Sequence, residues 1–70
     1  MPSIPFTVTG RVIEVLVKPG DAVAAGDAVM TIESMKMEIP LEAEVAGTVA
    51  EVLVAAGQDI VEGQNAVVLE

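Results

Sequence analysis

The chain has 70 residues, with three basic and eleven acidic side chains and a formal net charge of −8. It contains no cysteine and no histidine, which excludes disulfides, thiolate metal sites and the commonest general base. The acidic charge and the single aromatic side chain, Phe6, argue against nucleic-acid binding, and no apolar run is long enough to span a bilayer. We therefore expect one small domain over residues 1–70 with an aliphatic core.

The first ten residues, MPSIPFTVTG, carry neither a basic segment nor a long apolar segment. No secretory signal is visible there, so we expect a cytoplasmic protein that contacts neither membrane nor nucleic acid. The sequence leaves open whether the chain is a free-standing protein or a domain cut from a longer polypeptide.

In the first half of the chain, apolar segments rich in β-branched residues alternate with glycine turns. Strands are predicted at 11–17 and 28–33, because β-branched residues are dense there. The segment KPGD at 18–21 has proline second and glycine third, which is typical of a type II turn. The alternation of apolar and polar residues fails at Ile13 and Glu14, and a β-bulge or a bend would explain this irregularity.

The middle of the chain reads ESMKME at 33–38 and precedes further strand-like segments. A strand at 37–42 would form a hairpin with 28–33, and further strands are predicted at 48–54 and 65–69. The expected hairpin turn is 34–37, so Lys36 would lie on it.

A duplication relates the two halves of the chain. Residues 10–33 align without a gap on residues 47–70, shifted by 37 positions, and the similarity extends the repeats to 4–33 and 41–70. Two such halves of about four strands each can pair around a pseudo-two-fold axis and bury one core. The prediction is an all-β, flattened, eight-stranded barrel-sandwich with its termini together at one end and the 34–37 turn at the other.

Few residues could carry chemistry. Ser3 and Ser34 lack a base to activate them, and the glutamates, including Glu33 and Glu38, are expected to be solvated surface groups. Lys18 beside Pro19 fits an ordinary turn. Lys36 differs, because a methionine lies on each side of it and exposed apolar side chains usually mark a contact site. The sequence therefore predicts a lysine presented for recognition by another protein.

With these residues the chain resembles the biotinyl/lipoyl attachment domains. The resemblance rests on Ser34-Met35-Lys36-Met37, on the repeated G-x-V pattern starting at Gly10 and Gly47, and on Glu33 before the motif. It implies a flattened barrel of two four-stranded halves with the modified lysine on the hairpin between them. Ser34 departs from the alanine usual in the family, and the residues alone assign it no role.

The resemblance implies that a biotin protein ligase joins biotin to Lys36 through an amide bond. A biotin carboxylase then loads the attached group with a carboxyl group for delivery to a carboxyltransferase. Met35 and Met37 would be recognition flanks, Glu33 and Glu38 would shape the turn or steer the ligase, and Ser34 would lie with them on the turn. The chain itself would be no enzyme and would hold no metal, and we expect it to be monomeric when isolated. Neither the carboxylase nor the acyl substrate that it serves can be read from the sequence.

Three alternatives remain open. A lipoyl carrier is the nearest, although lipoylated lysines in the family typically follow an acidic residue and Met35 precedes Lys36 here; modification by both groups is also possible. An unmodified barrel used as a structural adaptor would usually lack the lysine. An enzyme built on carboxylates lacks any assembled set of catalytic residues.

Overall fold

The computed structural model describes residues 2–70, which form eight strands and no helix. The all-β prediction is therefore confirmed, and none of these residues forms a helix that could cross a membrane. In chain order the strands are β1 (Ser3–Pro5), β2 (Gly10–Val15), β3 (Ala22–Val23), β4 (Ala28–Ser34), β5 (Met37–Glu42), β6 (Gly47–Val52), β7 (Asp59–Ile60) and β8 (Asn65–Leu69).

The strands form two antiparallel four-stranded sheets, in the orders β1-β8-β6-β3 and β5-β4-β2-β7. Advancing every strand of the first sheet by four places, counted cyclically, gives the order of the second. Each sheet therefore contains two strands from the first half of the chain and two from the second. Because the halves interleave in this way, neither half can form its sheet without the other.

The irregularity in β2 is a bulge, which is one of the two explanations that the sequence left open. The register of β2 against β4 shifts between Val12 and Glu14, and Ile13 between them is left partly exposed. The register of β6 against β8 shifts in the same way between Val49 and Glu51. A bulge bends its strand and increases the local twist, so both sheets curve at equivalent points.

The two long turns before β3 and β7 repeat one design. Gly20 has φ 96° and Gly57 has φ 89°, and each turn closes with a backbone hydrogen bond, from Asp21 N to Lys18 O (3.1 Å) and from Gln58 N to Ala55 O (3.2 Å). Positive φ at the third position is what the predicted type II turn requires. Lys18 accordingly belongs to an ordinary turn.

The core lies between the two sheets and is almost entirely aliphatic, as expected. Its only aromatic side chain is Phe6, and no charged side chain of residues 2–70 is buried. Leu69 N donates a hydrogen bond to Pro2 O (2.8 Å), so the chain ends lie together as predicted. The buried apolar residues are Ile4, Phe6, Val12, Val23, Val29, Met30, Ile32, Leu41, Ala43, Val49, Val54, Ile60, Ala66, Val67 and Leu69.

Strand boundaries differ from the sequence predictions by one or two residues. The predicted strand at 11–17 is observed at Gly10–Val15, and that at 48–54 is observed at Gly47–Val52. The two-residue strands β3 and β7 were not predicted individually. They are too short to produce an alternating pattern, since two residues contain a single period.

Candidate functional site

Lys36 lies on a two-residue hairpin loop between β4 and β5. Ser34 and Met37 are the last paired residues of the two strands, so Met35 and Lys36 alone form the loop. Their φ angles are 53° and 65°. Positive φ at both central residues is the signature of a type I′ turn, whose twist matches that of the flanking strands. The predicted exposed turn at 34–37 is thus a tight hairpin.

This turn contains no glycine or asparagine, although type I′ turns favour them strongly. Elsewhere in residues 2–70, each positive φ belongs to a glycine; Met35 and Lys36 are the two exceptions. A side chain in the left-handed region costs about 1–2 kcal/mol per residue. Backbone strain of this kind is found preferentially at functional sites. The hairpin therefore presents these two side chains at a cost in stability.

The side chains around Lys36 point into solvent. Met35 is 91% exposed and Met37 is 63% exposed, whereas Met30 on β4 is fully buried. Lys36 is exposed, and among residues 2–70 the one ion pair joins Arg11 to Asp59, so its amine has no carboxylate partner. The tip of the hairpin is an accessible amine between two apolar, flexible side chains.

A row of charged side chains crosses the outer face of the sheet just below the hairpin tip. Directly paired residues share a face, and the pairs here are Asp59 with Arg11, Arg11 with Glu33, and Glu33 with Glu38. Arg11 Nε lies 3.1 Å from Asp59 Oδ1, with both side chains largely exposed, so this ion pair adds little stability. The two glutamates give the base of the hairpin a negative charge close to Lys36.

Ser34 has a defined partner. Its hydroxyl donates a hydrogen bond of 2.8 Å to the backbone oxygen of Thr9, in the connection between β1 and β2. Gly10 follows at a point of very close approach, because a Cβ there would overlap the carbonyl oxygen of Glu33. The loop before β2 therefore lies directly against the base of the hairpin.

The residues singled out from the sequence, 33–38, lie together on this hairpin, and Lys18 lies on a different turn. Sequence reasoning missed Thr9 and Arg11 as neighbours of the site. Thr9 carries no motif, and its carbonyl rather than its side chain meets Ser34. The sequence did indicate Gly10, because this residue begins the first copy of the repeated G-x-V pattern.

The chemistry available at the hairpin is that of a primary amine open to an acyl donor. Within residues 2–70 no group of acidic side chains could hold a metal ion. An exposed lysine on a tight two-residue turn, flanked by apolar side chains that a modifying enzyme can contact, fits covalent attachment of an acyl cofactor such as biotin or lipoate.

Comparisons with known proteins place this geometry in context. Residues 1–69 match the biotin/lipoyl family model, which is described as "Biotin-requiring enzyme". The chain is 46% identical over 56 residues to a biotinylated protein TB7.3 homolog of Mycobacterium leprae, covering 80% of this chain and 79% of that protein.

Longer proteins match as well. The chain is 44% identical over 59 residues to the dihydrolipoyllysine-residue acetyltransferase component of the pyruvate dehydrogenase complex of Cupriavidus necator, covering 84% of this chain and 11% of that protein. The Kluyveromyces lactis urea carboxylase structure superposes with a TM-score of 0.92 and 32% identity, covering 99% of this chain and 6% of that one. These two relatives are far longer than the chain. Together with the hairpin geometry, the matches show that the chain belongs to the biotin/lipoyl attachment family.

Proposed function

We propose that the chain is a biotin carboxyl carrier and that a biotin protein ligase joins biotin to Lys36. The observation that carries the proposal is the setting of Lys36: an exposed amine on a strained two-residue turn, between two exposed methionines. Glycine would adopt this turn more easily. Because the turn nevertheless contains methionine and lysine, we infer that its role is to present these two side chains. The biotinylated relative and the likeness to urea carboxylase support the same assignment.

The attachment step is an acyl transfer to nitrogen. The uncharged amine of Lys36 attacks the acyl carbon of biotinyl adenylate, and an amide bond forms as the bond from that carbon to the phosphate oxygen breaks. AMP leaves with the electron pair of that bond. The amine gives its proton to a base of the ligase, since Lys36 has no hydrogen-bonding partner among residues 2–70.

The protein's contribution to transfer is presentation and tethering. Biotin, once attached, supplies a ureido nitrogen that accepts and releases a carboxyl group. The hairpin holds the attachment point away from the sheets, and Met35 and Met37 offer apolar contacts to the ligase, a biotin carboxylase and a carboxyltransferase. Tethering keeps a high effective concentration of the carried group at both active sites.

Lipoate is the second candidate for the group on Lys36. The acetyltransferase relative favours it, because that protein's name includes a dihydrolipoyllysine residue. Met35 argues for biotin, since lipoylated lysines in the family typically follow an acidic residue. The hairpin geometry suits either group equally.

Parallel modification assays test the choice of cofactor. The chain is incubated with a biotin protein ligase and biotin, or with a lipoate ligase and lipoate, each with ATP, and initial rates are followed by mass spectrometry. We expect biotin to be added at least about tenfold faster, a difference of about 1.4 kcal/mol in activation free energy. Faster lipoylation would overturn the assignment to biotin in favour of lipoate.

A further inference from the structure

We propose that Ser34 is a positioning residue for the acylation of Lys36, acting through its hydrogen bond to the backbone of Thr9. We call this contact the hairpin anchor. The inference rests on the proposed function and assigns to Ser34 a role in it. Alanine is usual at this position in the family, so the anchor would be a feature of chains that carry serine here.

The hairpin anchor acts at the end of β4, immediately before the turn. Ser34 is the last paired residue of β4, and the next two residues have the φ angles of 53° and 65°. A hydrogen bond at this point restrains the strand end immediately before the strained turn. The bond measures 2.8 Å and links residues 25 apart in the sequence, so it ties the hairpin to a separate segment of the chain.

Thr9 is itself held in place by a neighbouring turn. Its hydroxyl accepts a hydrogen bond from Glu62 N (3.1 Å), in the turn between β7 and β8. Gly63 N in the same turn donates to Phe6 O (2.9 Å), and the side chain of Phe6 is buried in the core. The partner of Ser34 is therefore fixed to the body of the protein rather than being part of a loose loop.

The two backbone segments beside the hairpin anchor are closely packed. Gly10 approaches Glu33 so closely that no side chain fits between them. Because the loop and the strand end are already in contact, the Ser34 hydroxyl reaches Thr9 without displacing either segment. The hairpin anchor thus selects one arrangement of the turn, and with it one direction for the Cα–Cβ bond of Lys36.

A turn that is already held in one conformation can bind an enzyme without a further loss of conformational freedom. Losing one hydrogen bond of this kind should raise the population of alternative turn conformers about 2- to 10-fold. For a ligase that requires the native turn, kcat/KM falls with the fraction of chains that hold that turn, so its loss is smaller than the rise in alternative conformers. The global fold should be little affected, because Ser34 lies outside the hydrophobic core.

The test compares Ser34→Ala with Ser34→Thr, which keeps a hydroxyl, and with Ser3→Ala. Ser3 is the only other serine in the chain, and its hydroxyl bonds to Asn65 in the other sheet. Two readouts are needed: kcat and KM for biotinylation by a biotin protein ligase, and amide hydrogen exchange at Ser34 and Met37, the strand pair that closes the turn. Urea unfolding of each variant measures the global stability.

We expect Ser34→Ala to speed exchange at the hairpin amides about 2- to 10-fold and to lower kcat/KM by a smaller factor. Ser34→Thr and Ser3→Ala should behave like the unmutated protein in both readouts. Wild-type kinetics and exchange in Ser34→Ala would overturn the inference. Equal losses in Ser34→Ala and Ser34→Thr would also overturn it, since the hydroxyl would then not be the cause.

A second variant, Thr9→Val, tests the segment of the chain that carries the hairpin anchor. Thr9→Val removes the hydroxyl that binds Glu62 but leaves the carbonyl that Ser34 uses, so it should loosen the loop and slow biotinylation less than Ser34→Ala. If the unmutated chain is not biotinylated at all, the proposed function fails. Hydrogen exchange then still decides whether the hairpin anchor orders the turn.

Discussion

Met35 and Lys36 have positive φ angles, a backbone conformation that is unfavourable for residues with side chains. Elsewhere in residues 2–70 every residue with positive φ is a glycine, which adopts that conformation without steric strain. Keeping methionine and lysine at these positions costs about 1–2 kcal/mol for each residue. Within a small domain, whose stability margin is thin, that cost is appreciable. The turn is thus a place where stability and recognition oppose each other.

Replacing Met35 with asparagine should separate the two effects. Asparagine tolerates positive φ, so Met35→Asn is expected to raise the free energy of unfolding by about 0.5–1 kcal/mol while slowing biotinylation. Met37→Asn is the matched control: it removes the other exposed methionine from a strand position, where φ is negative, and should slow biotinylation without any gain in stability. Urea unfolding and ligase kinetics measure both. Equal changes in unfolding free energy for the two variants would contradict this account of the strain.

At the scale of elements, the base of the hairpin depends on the close approach of β2 to β4. A Cβ at Gly10 would overlap the carbonyl oxygen of Glu33, which belongs to the backbone and cannot move aside cheaply. Its repeat partner, Gly47, faces the side chain of Leu69 at 3.4 Å, an ordinary contact. Equivalent positions of the repeat therefore differ in tolerance, and the less tolerant one lies beside the candidate site.

Alanine substitution at the two glycines measures this difference. Gly10→Ala should lower the free energy of unfolding by about 1–3 kcal/mol, because the strands must separate to admit the methyl group. Gly47→Ala should change it by less than about 1 kcal/mol, since the Leu69 side chain can adjust. Urea unfolding monitored by circular dichroism gives both values. A loss at Gly47 as large as that at Gly10 would contradict the geometry described for the hairpin base.

Some features of these elements were predictable from the sequence and others were not. The repeat located the hairpin and placed Lys36 on it, because turn glycines and apolar segments recur at a fixed spacing. The interleaving of the sheets could not be read in the same way, since a duplicated half can form its own sheet or share one with its copy. The hairpin anchor was also out of reach: a serine hydroxyl bonding to a backbone carbonyl 25 residues away leaves no pattern in side-chain types.

At the scale of the whole molecule, the exchange of strands between the halves couples the two sheets. One core of aliphatic side chains lies between them, and every sheet contains strands from both halves. Val12 on β2 and Val49 on β6 occupy equivalent positions, and both are almost completely buried. Damage in either sheet should therefore weaken one shared structure.

Truncating these two valines tests the coupling. Val12→Ala and Val49→Ala should each lower the free energy of unfolding by about 2 kcal/mol, with a single transition and an unchanged m-value. Urea unfolding followed by circular dichroism and by NMR peaks from each sheet gives the comparison. Separate transitions for the two sheets would contradict a single cooperative core.

The most direct test of the central claim is to find which amine is modified. The unmutated chain, Lys36→Arg and Lys18→Arg are each incubated with a biotin protein ligase, biotin and ATP, and their intact masses are measured. These are the only two lysines in the chain. The account predicts a gain of one biotin minus one water in the unmutated chain and in Lys18→Arg, and none in Lys36→Arg. A gain that persists in Lys36→Arg, or no gain in the unmutated chain, would contradict it.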